Sequence, residues 1–221
     1  MSRHLQRELE KLKKRMLALG AMVEERVRMA RRAIEKMDAQ LAQRIIEADI
    51  DIDEKEVEVE EECLKILALH QPVAVDLRFL SAVIKINNDL ERIGDEAVNI
   101  AQRVSIMAKR EKMEIPFDFS LMADKSESML KMSLDALVNL DVDRAVRVCI
   151  SDDEVDELLA KAYDVIKDQI RIHPDRVGYL INCLLISRHL ERVGDHATNI
   201  AEEVIYMIEG EIIRHGRLER R

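Results

Sequence analysis

A chain of 221 residues that is 48% hydrophobic can bury the core of one large domain or two small ones. With 3 Pro, 6 Gly, no Trp and 3% aromatic residues it has few turn formers and few strand formers, so an almost wholly helical protein is expected. The formal net charge of −9 argues against non-specific nucleic-acid binding, which needs basic surface, and no apolar run is long enough to span a membrane.

Periodicity predicts six helices in two sets of three. The first covers about 3–36 and ends near Asp38. The second covers about 41–70 and stops at Gln71-Pro72, and the third runs on to about 111. Ile115-Pro116-Phe117-Asp118 is the clearest break, because Pro116 removes a donor and restrains its neighbour. The fourth, fifth and sixth helices are expected at about 120–140, 142–172 and 174–209, with Gly210 as a helix stop. The N-terminal MSRHLQRELEKLKKRM is charged and amphipathic, with no apolar h-region, rather than a signal peptide. Cys63, Cys149 and Cys183 form no CxxC pair and read as reduced, buried fillers.

The acidic run 47–62, EADIDIDEKEVEVEEE, reads either as an edge strand or as a helix. Ile46, Ile50, Val57, Leu64 and Ala68 keep a helical spacing through it and favour the helix. On that reading Asp53 and Glu60 fall on the apolar stripe. The basic clusters Lys13-Lys14-Arg15 and Arg214 to Arg221 are most simply solvated faces, with attraction to an anionic membrane surface as the alternative.

The third and sixth helices repeat one stretch. LERIGDEAVNIA begins at Leu90 and LERVGDHATNIA at Leu190, identical at nine of twelve positions. The repeat extends further: Asp38, Ala42, Arg44, Asp49 and Asp53 align with Asp141, Ala145, Arg147, Asp152 and Asp156, and Pro72 with Pro174. The chain therefore reads as two duplicated three-helix bundles, 1–114 and 115–221.

Within each copy two carboxylates stand four residues apart, Glu91/Asp95 and Glu191/Asp195. The preceding helices carry Asp49/Asp53 and Asp152/Asp156. That spacing stacks both acids on one helix face, where like charges repel. Any single pair in a chain with 44 acids is most simply a solvated surface. Four pairs in register across a duplication point instead to cations offsetting the repulsion. All-carboxylate ligation suits Mg²⁺, Ca²⁺, Mn²⁺ or Fe³⁺. Gly94 and Gly194 lie inside the pairs and are expected to admit a close neighbour. Asn99, Asn199 and Glu202 continue the same face as secondary candidates; the counterpart of Glu202 is Gln102. His189 and His196 are expected on other, exposed faces, and His70 and His173 as helix-terminal partners.

The doubled LER[IV]GD…NIA stretch, the paired E(D)xxxD motifs and the two three-helix halves resemble the PhoU family of phosphate-transport regulators along essentially the whole chain. The resemblance implies an all-α fold of two three-helix bundles and a cytoplasmic homodimer. It implies polynuclear metal sites (iron first, with zinc, manganese or magnesium as alternatives) on Asp49, Asp53, Glu91 and Asp95 and on Asp152, Asp156, Glu191 and Asp195. It also implies a negative regulator of the phosphate-starvation response, working with the phosphate ABC transporter and its sensor histidine kinase. The copies differ at Glu96/His196 and Gln102/Glu202, which leaves equal occupancy of the two sites open. No P-loop, GxSxG or zinc-hydrolase motif is present, so a non-enzymatic role is expected. The alternatives are a di-iron carboxylate or ferritin-like enzyme, disfavoured because no Glu-x-x-His occurs, and a purely structural helical scaffold.

Overall fold

The computed structural model describes residues 3–111, 113–114 and 117–211. Ile115, Pro116 and the basic cluster from Arg214 to Arg221 lie outside the described residues. The elements in chain order are α1 (Arg3–Lys36), α2 (Ala39–Glu47), α3 (Ile50–His70), α4 (Ala74–Met107), α5 (Phe119–Asn139), α6 (Val142–Ile172), a 3-10 turn (Pro174–Arg176) and α7 (Val177–Glu209). The all-α fold expected above is what the described residues adopt, and no described helix is long and apolar enough to cross a membrane.

The long helices bury residues at helical spacing, and α4 and α7, packed on several neighbours, bury more than one stripe. In α1 the stripe is Leu5, Leu9, Leu12, Met16, Leu19, Val23 and Val27; in α4 the main one is Val83, Ile86, Leu90, Ala97, Ala101 and Val104. The second and fifth helices of the plan start on aspartates. Asp38 accepts hydrogen bonds from the backbone N–H groups of Gln40 and Leu41, both at 3.0 Å, and Asp141 accepts from Arg144 at 2.9 Å. Asp38→Ala is expected to cost about 1 kcal/mol, measured by urea denaturation, because two N-terminal donors lose their acceptor. Gly210 ends α7 with φ +77°, a left-handed conformation that glycine adopts without strain. The three cysteines are free, and burial pushes each thiol up to about 12.

The expected second helix is corrected in two respects. It is interrupted at Ala48–Asp49, where Ala48 sits at φ −96°, ψ 14° and the amides of Asp51 and Ile52 bond three residues back rather than four. Beyond the break α3 buries Ile52, Val59, Cys63 and Ile66, while Ile50, Val57 and Leu64 are exposed. The alternating run offers two apolar stripes, and the one that continues into Cys63 and Ile66 is the one that packs. Asp53 and Glu60 are accordingly exposed instead of sharing a buried stripe.

The halves meet mainly through α4 and α7, with α1 against α5 alongside. Lys85 pairs with Glu203, Asp89 with His196 and Glu96 with His189, while the Arg110 side chain crosses Gly178, so α4 and α7 run antiparallel. Positions 89 and 189, and 96 and 196, exchange partners across this interface. It is therefore a local two-fold, centred on the repeated stretches. The register of the other helices is also preserved. Every buried position of α1 from Leu19 to Ile34 recurs as a buried position of α5 at a constant offset, from Met122 to Leu137.

Candidate metal centre

The break before α3 places Asp49 and Asp53 beside α4, while the unbroken α6 carries Asp152 and Asp156 along α7. In the C-terminal half, one oxygen each from Asp156, Glu191 and Asp195 lies within 4.8 Å of the other two. Asp152 completes the group. Burial, then Asp195 and Asp156, push its carboxyl up to about 6, against relief from the Thr198 hydroxyl. Burial followed by the charges of Asp195 and Asp156 pushes Glu191 up to about 7, and Asp195 is raised by burial and Asp156. Asp156 and Asp195 are exposed, so the cluster opens to solvent.

In the N-terminal half the same four positions interact. Asp49 is raised by burial and by Asp53 and Asp95, with Arg26 opposing; Glu91 is raised by burial and Asp95, with smaller contributions from Asp53 and Glu56. Glu56, which the motif did not single out, thus belongs to this cluster. Its Oε1 accepts from Asn87 at 2.8 Å. The signal for it was the i, i+3 spacing from Asp53 in the acidic run, which many other acids share. Oε2 of Glu91 is buried without a hydrogen-bond partner, 3.3 Å from Nε of Arg92.

The donor set fits a hard cation. Such ions accept all-oxygen shells at about 2.0–2.6 Å, so one ion can touch all three C-terminal oxygens, and its charge would remove the repulsion that raises these carboxyls. The glycines have different neighbours. A Cβ on Gly194 would lie 3.6 Å from Oδ1 of Asp152 and 3.5 Å from Met129, whereas one on Gly94 would stand 3.1 Å from Cδ1 of Ile52. Gly194 therefore gives room to a cluster carboxylate, and Gly94 to a core side chain.

The remaining candidates face elsewhere. Asn199 donates to Asp89 at 3.1 Å and Asn99 bonds Glu96, which turns both amides toward the α4–α7 interface. Glu202 lines a cleft of about 670 Å³ with Glu56, Glu60, Asp89 and Glu203. His189 and His196 are not exposed. Their Nδ1 atoms lie 2.6 Å from Glu96 and 2.9 Å from Asp89, in hydrogen-bonded contacts that the pairing of the repeats creates and that one repeat alone could not reveal. Glu96 is 2% exposed, yet its carboxyl lies below the ordinary range: burial would raise it, but the His189 hydrogen bond, the Arg192 and His189 charges and Asn99 outweigh that. His70, at the end of α3, pairs with Glu8 of α1 at 2.7 Å, and His173 caps the end of α6.

Comparison with known proteins agrees with this architecture. The PhoU domain family matches twice, over residues 16–104 and 119–204. A Clostridium acetobutylicum protein named phosphate-specific transport system accessory protein PhoU homolog is 36% identical over 204 residues, covering 92% of this chain and 93% of that protein. The homolog of the same name from Pseudomonas aeruginosa is 36% identical across the entire chain and 91% of its own length. The crystal structure of PhoU from Pseudomonas aeruginosa superposes with a TM-score of 0.88, covering 93% of this chain and 99% of that one at 36% identity. That of the phosphate transport system regulatory protein PhoU from Streptococcus pneumoniae gives 0.85 over 96% and 100%, at 30% identity. With both halves matched, and full-length relatives well above 30% identity, the chain belongs to the PhoU family.

Proposed function

We propose that this protein is a non-enzymatic, cytoplasmic accessory regulator of phosphate transport. It acts with the phosphate ABC transporter and its sensor histidine kinase to hold the phosphate-starvation response off when phosphate is plentiful. The observation that carries this reading is the match of both halves, over nearly the full length, to proteins named for the phosphate-specific transport system. In this reading the halves 1–114 and 115–221 are paired bundles, the working form is a homodimer, and partners are engaged through helix faces. Exposed apolar side chains such as Ile50, Val57 and Leu64 on α3 are available for such contacts.

The carboxylate clusters then hold cations, with iron first and zinc, manganese or magnesium as alternatives. Asp49, Asp53, Glu91 and Asp95 serve one half, and Asp152, Asp156, Glu191 and Asp195 the other. Support comes from the three converging oxygens and from the raised carboxyls in both halves. A ferritin-like oxidase is less well supported, because the histidines nearest the clusters are committed to Glu96 and Asp89. The regulatory reading is tested by deleting the gene in its host and following a phosphate-starvation reporter. Loss of the protein should switch the reporter on in phosphate-replete medium, and affinity-tagged protein should co-purify with transporter and kinase subunits from membranes. A silent reporter together with no such co-purification would reject it.

A further inference from the structure

The two clusters share a motif but not an electrostatic setting, and the difference traces to single positions. Across the local two-fold, Arg192 reaches the opposite half, where its Nε lies 3.1 Å from Oε1 of Glu96. Arg92 holds the matching position, but the residue facing it is His196, whose ring is already paired with Asp89. With no carboxylate to reach across the interface, Arg92 turns back on its own helix. Its Nε lies 3.3 Å from Oε2 of Glu91 and its Nη1 3.3 Å from Oδ2 of Asp95.

The second difference is on the preceding helices. The buried register shared by α1 and α5 matches Arg26 with Met129. Arg26 is buried, donates to the Ile45 carbonyl at 2.9 Å and places positive charge beside Asp49. Met129 packs under Gly194 without charge. The N-terminal cluster therefore has Arg92 in direct ion pairs with two of its carboxylates and Arg26 at longer range. Among the described residues no basic side chain comes within ion-pair distance of Asp152, Asp156, Glu191 or Asp195; Arg188 near Glu191 and Arg192 near Asp195 act on them only from longer range. The oxygens follow suit: among the described residues, only the C-terminal half brings three of them within 4.8 Å of one another. The extra carboxylate of the N-terminal half, Glu56, is tied to the Asn87 amide.

We propose that the two cation sites are unequal, the C-terminal cluster being the primary site and Arg92 acting as an internal counter-ion that the N-terminal cluster must release before it binds metal. This rests on the cation-binding reading above. A guanidinium on two of the ligands competes directly with an incoming ion, and at a half-exposed position that competition is worth roughly tenfold in affinity.

The test is titration of full-length protein with Mn²⁺ alone, followed by calorimetry and by the EPR signal of free Mn²⁺. Asp53→Asn with Asp95→Asn leaves the C-terminal cluster, and Asp156→Asn with Asp195→Asn leaves the N-terminal one. Circular dichroism checks that each variant folds. The C-terminal cluster should bind about tenfold more tightly. Adding Arg92→Gln to the N-terminal-only variant should recover most of that difference. The exchange Asp89→His with His196→Glu, which offers Arg92 a carboxylate across the two-fold, should do the same. Equal affinities, or a C-terminal preference that neither change narrows, would overturn the inequality and leave cation binding intact. Absence of Mn²⁺ binding in the unaltered protein would overturn both.

Discussion

Replacing Glu96 with Ala should lower the stability of the protein by about 3 kcal/mol, seen in thermal melts as a fall of roughly 6–12 °C for a chain of this size. The carboxylate is almost completely buried and is held by His189 at 2.6 Å, by Arg192 at 3.1 Å and by Asn99. Removing it leaves His189 without its acceptor at the centre of the α4–α7 interface. Breaking a buried pair from one side costs about 3–5 kcal/mol, and the lower end applies because half-exposed Arg192 can rehydrate. The mirror contact provides the comparison. Asp89 bonds His196 at 2.9 Å and Asn199 at 3.1 Å but has no arginine, so Asp89→Ala should cost less, about 1–2 kcal/mol. Glu96→Gln, which keeps an acceptor for His189, should fall between unaltered protein and Glu96→Ala. A change under about 0.5 kcal/mol for Glu96→Ala would mean that this network does not hold the halves together.

Metal-free protein should lose stability as pH rises from about 4.5 to 7, and divalent cation should restore it. Asp152 and Glu191, at about 6 and 7 in the folded chain, keep their protons to higher pH than they would unfolded. Over that window the folded state binds more protons, so each increment of pH favours unfolding. Stability from this source is complete below the ordinary carboxylate range and is gone above about 7. Solvent screening reduces the total to about 2 kcal/mol. Glu96, whose carboxyl is held below the ordinary range in the folded chain, opposes this only at the lower edge of the window, until its unfolded counterpart has ionised. Above pH 7, Mn²⁺ at a hundredfold over its dissociation constant should add about 2.7 kcal/mol. Below pH 5, where protons hold the same oxygens, it should add little. Glu191→Gln with Asp195→Asn should flatten most of the pH profile and cut the cation response to the weaker one of the N-terminal cluster. A metal-free melting temperature that rises steadily from pH 4.5 to 7 would contradict the crowding of these carboxylates.

The helical plan was legible because it depends on local rules. α1 and α6 begin and end at the residues that periodicity indicates, since Asp38, Asp141, Pro72, Pro174 and Gly210 punctuate the chain through backbone chemistry that needs no partner. The stripe of α4 was legible for the same reason. α3 was not: the alternation of Ile and Val with acids supports two apolar stripes, and local pattern does not rank them. Contact with α4 does, because Ile52 enters the space left by Gly94.

The acid pairs and their register across the duplication are properties of the sequence itself, because one helical turn sets the spacing and the repeat sets the match. The sequence also records that positions 96 and 196 differ. What that difference does is decided only in three dimensions. Antiparallel packing of α4 on α7 puts Glu96 against His189 and Arg192, and His196 against Asp89. The long-range pairing then determines which way each arginine turns. Charges a hundred positions apart along the chain become neighbours at about 3 Å, and at that distance their attraction outweighs any preference written into a single helix.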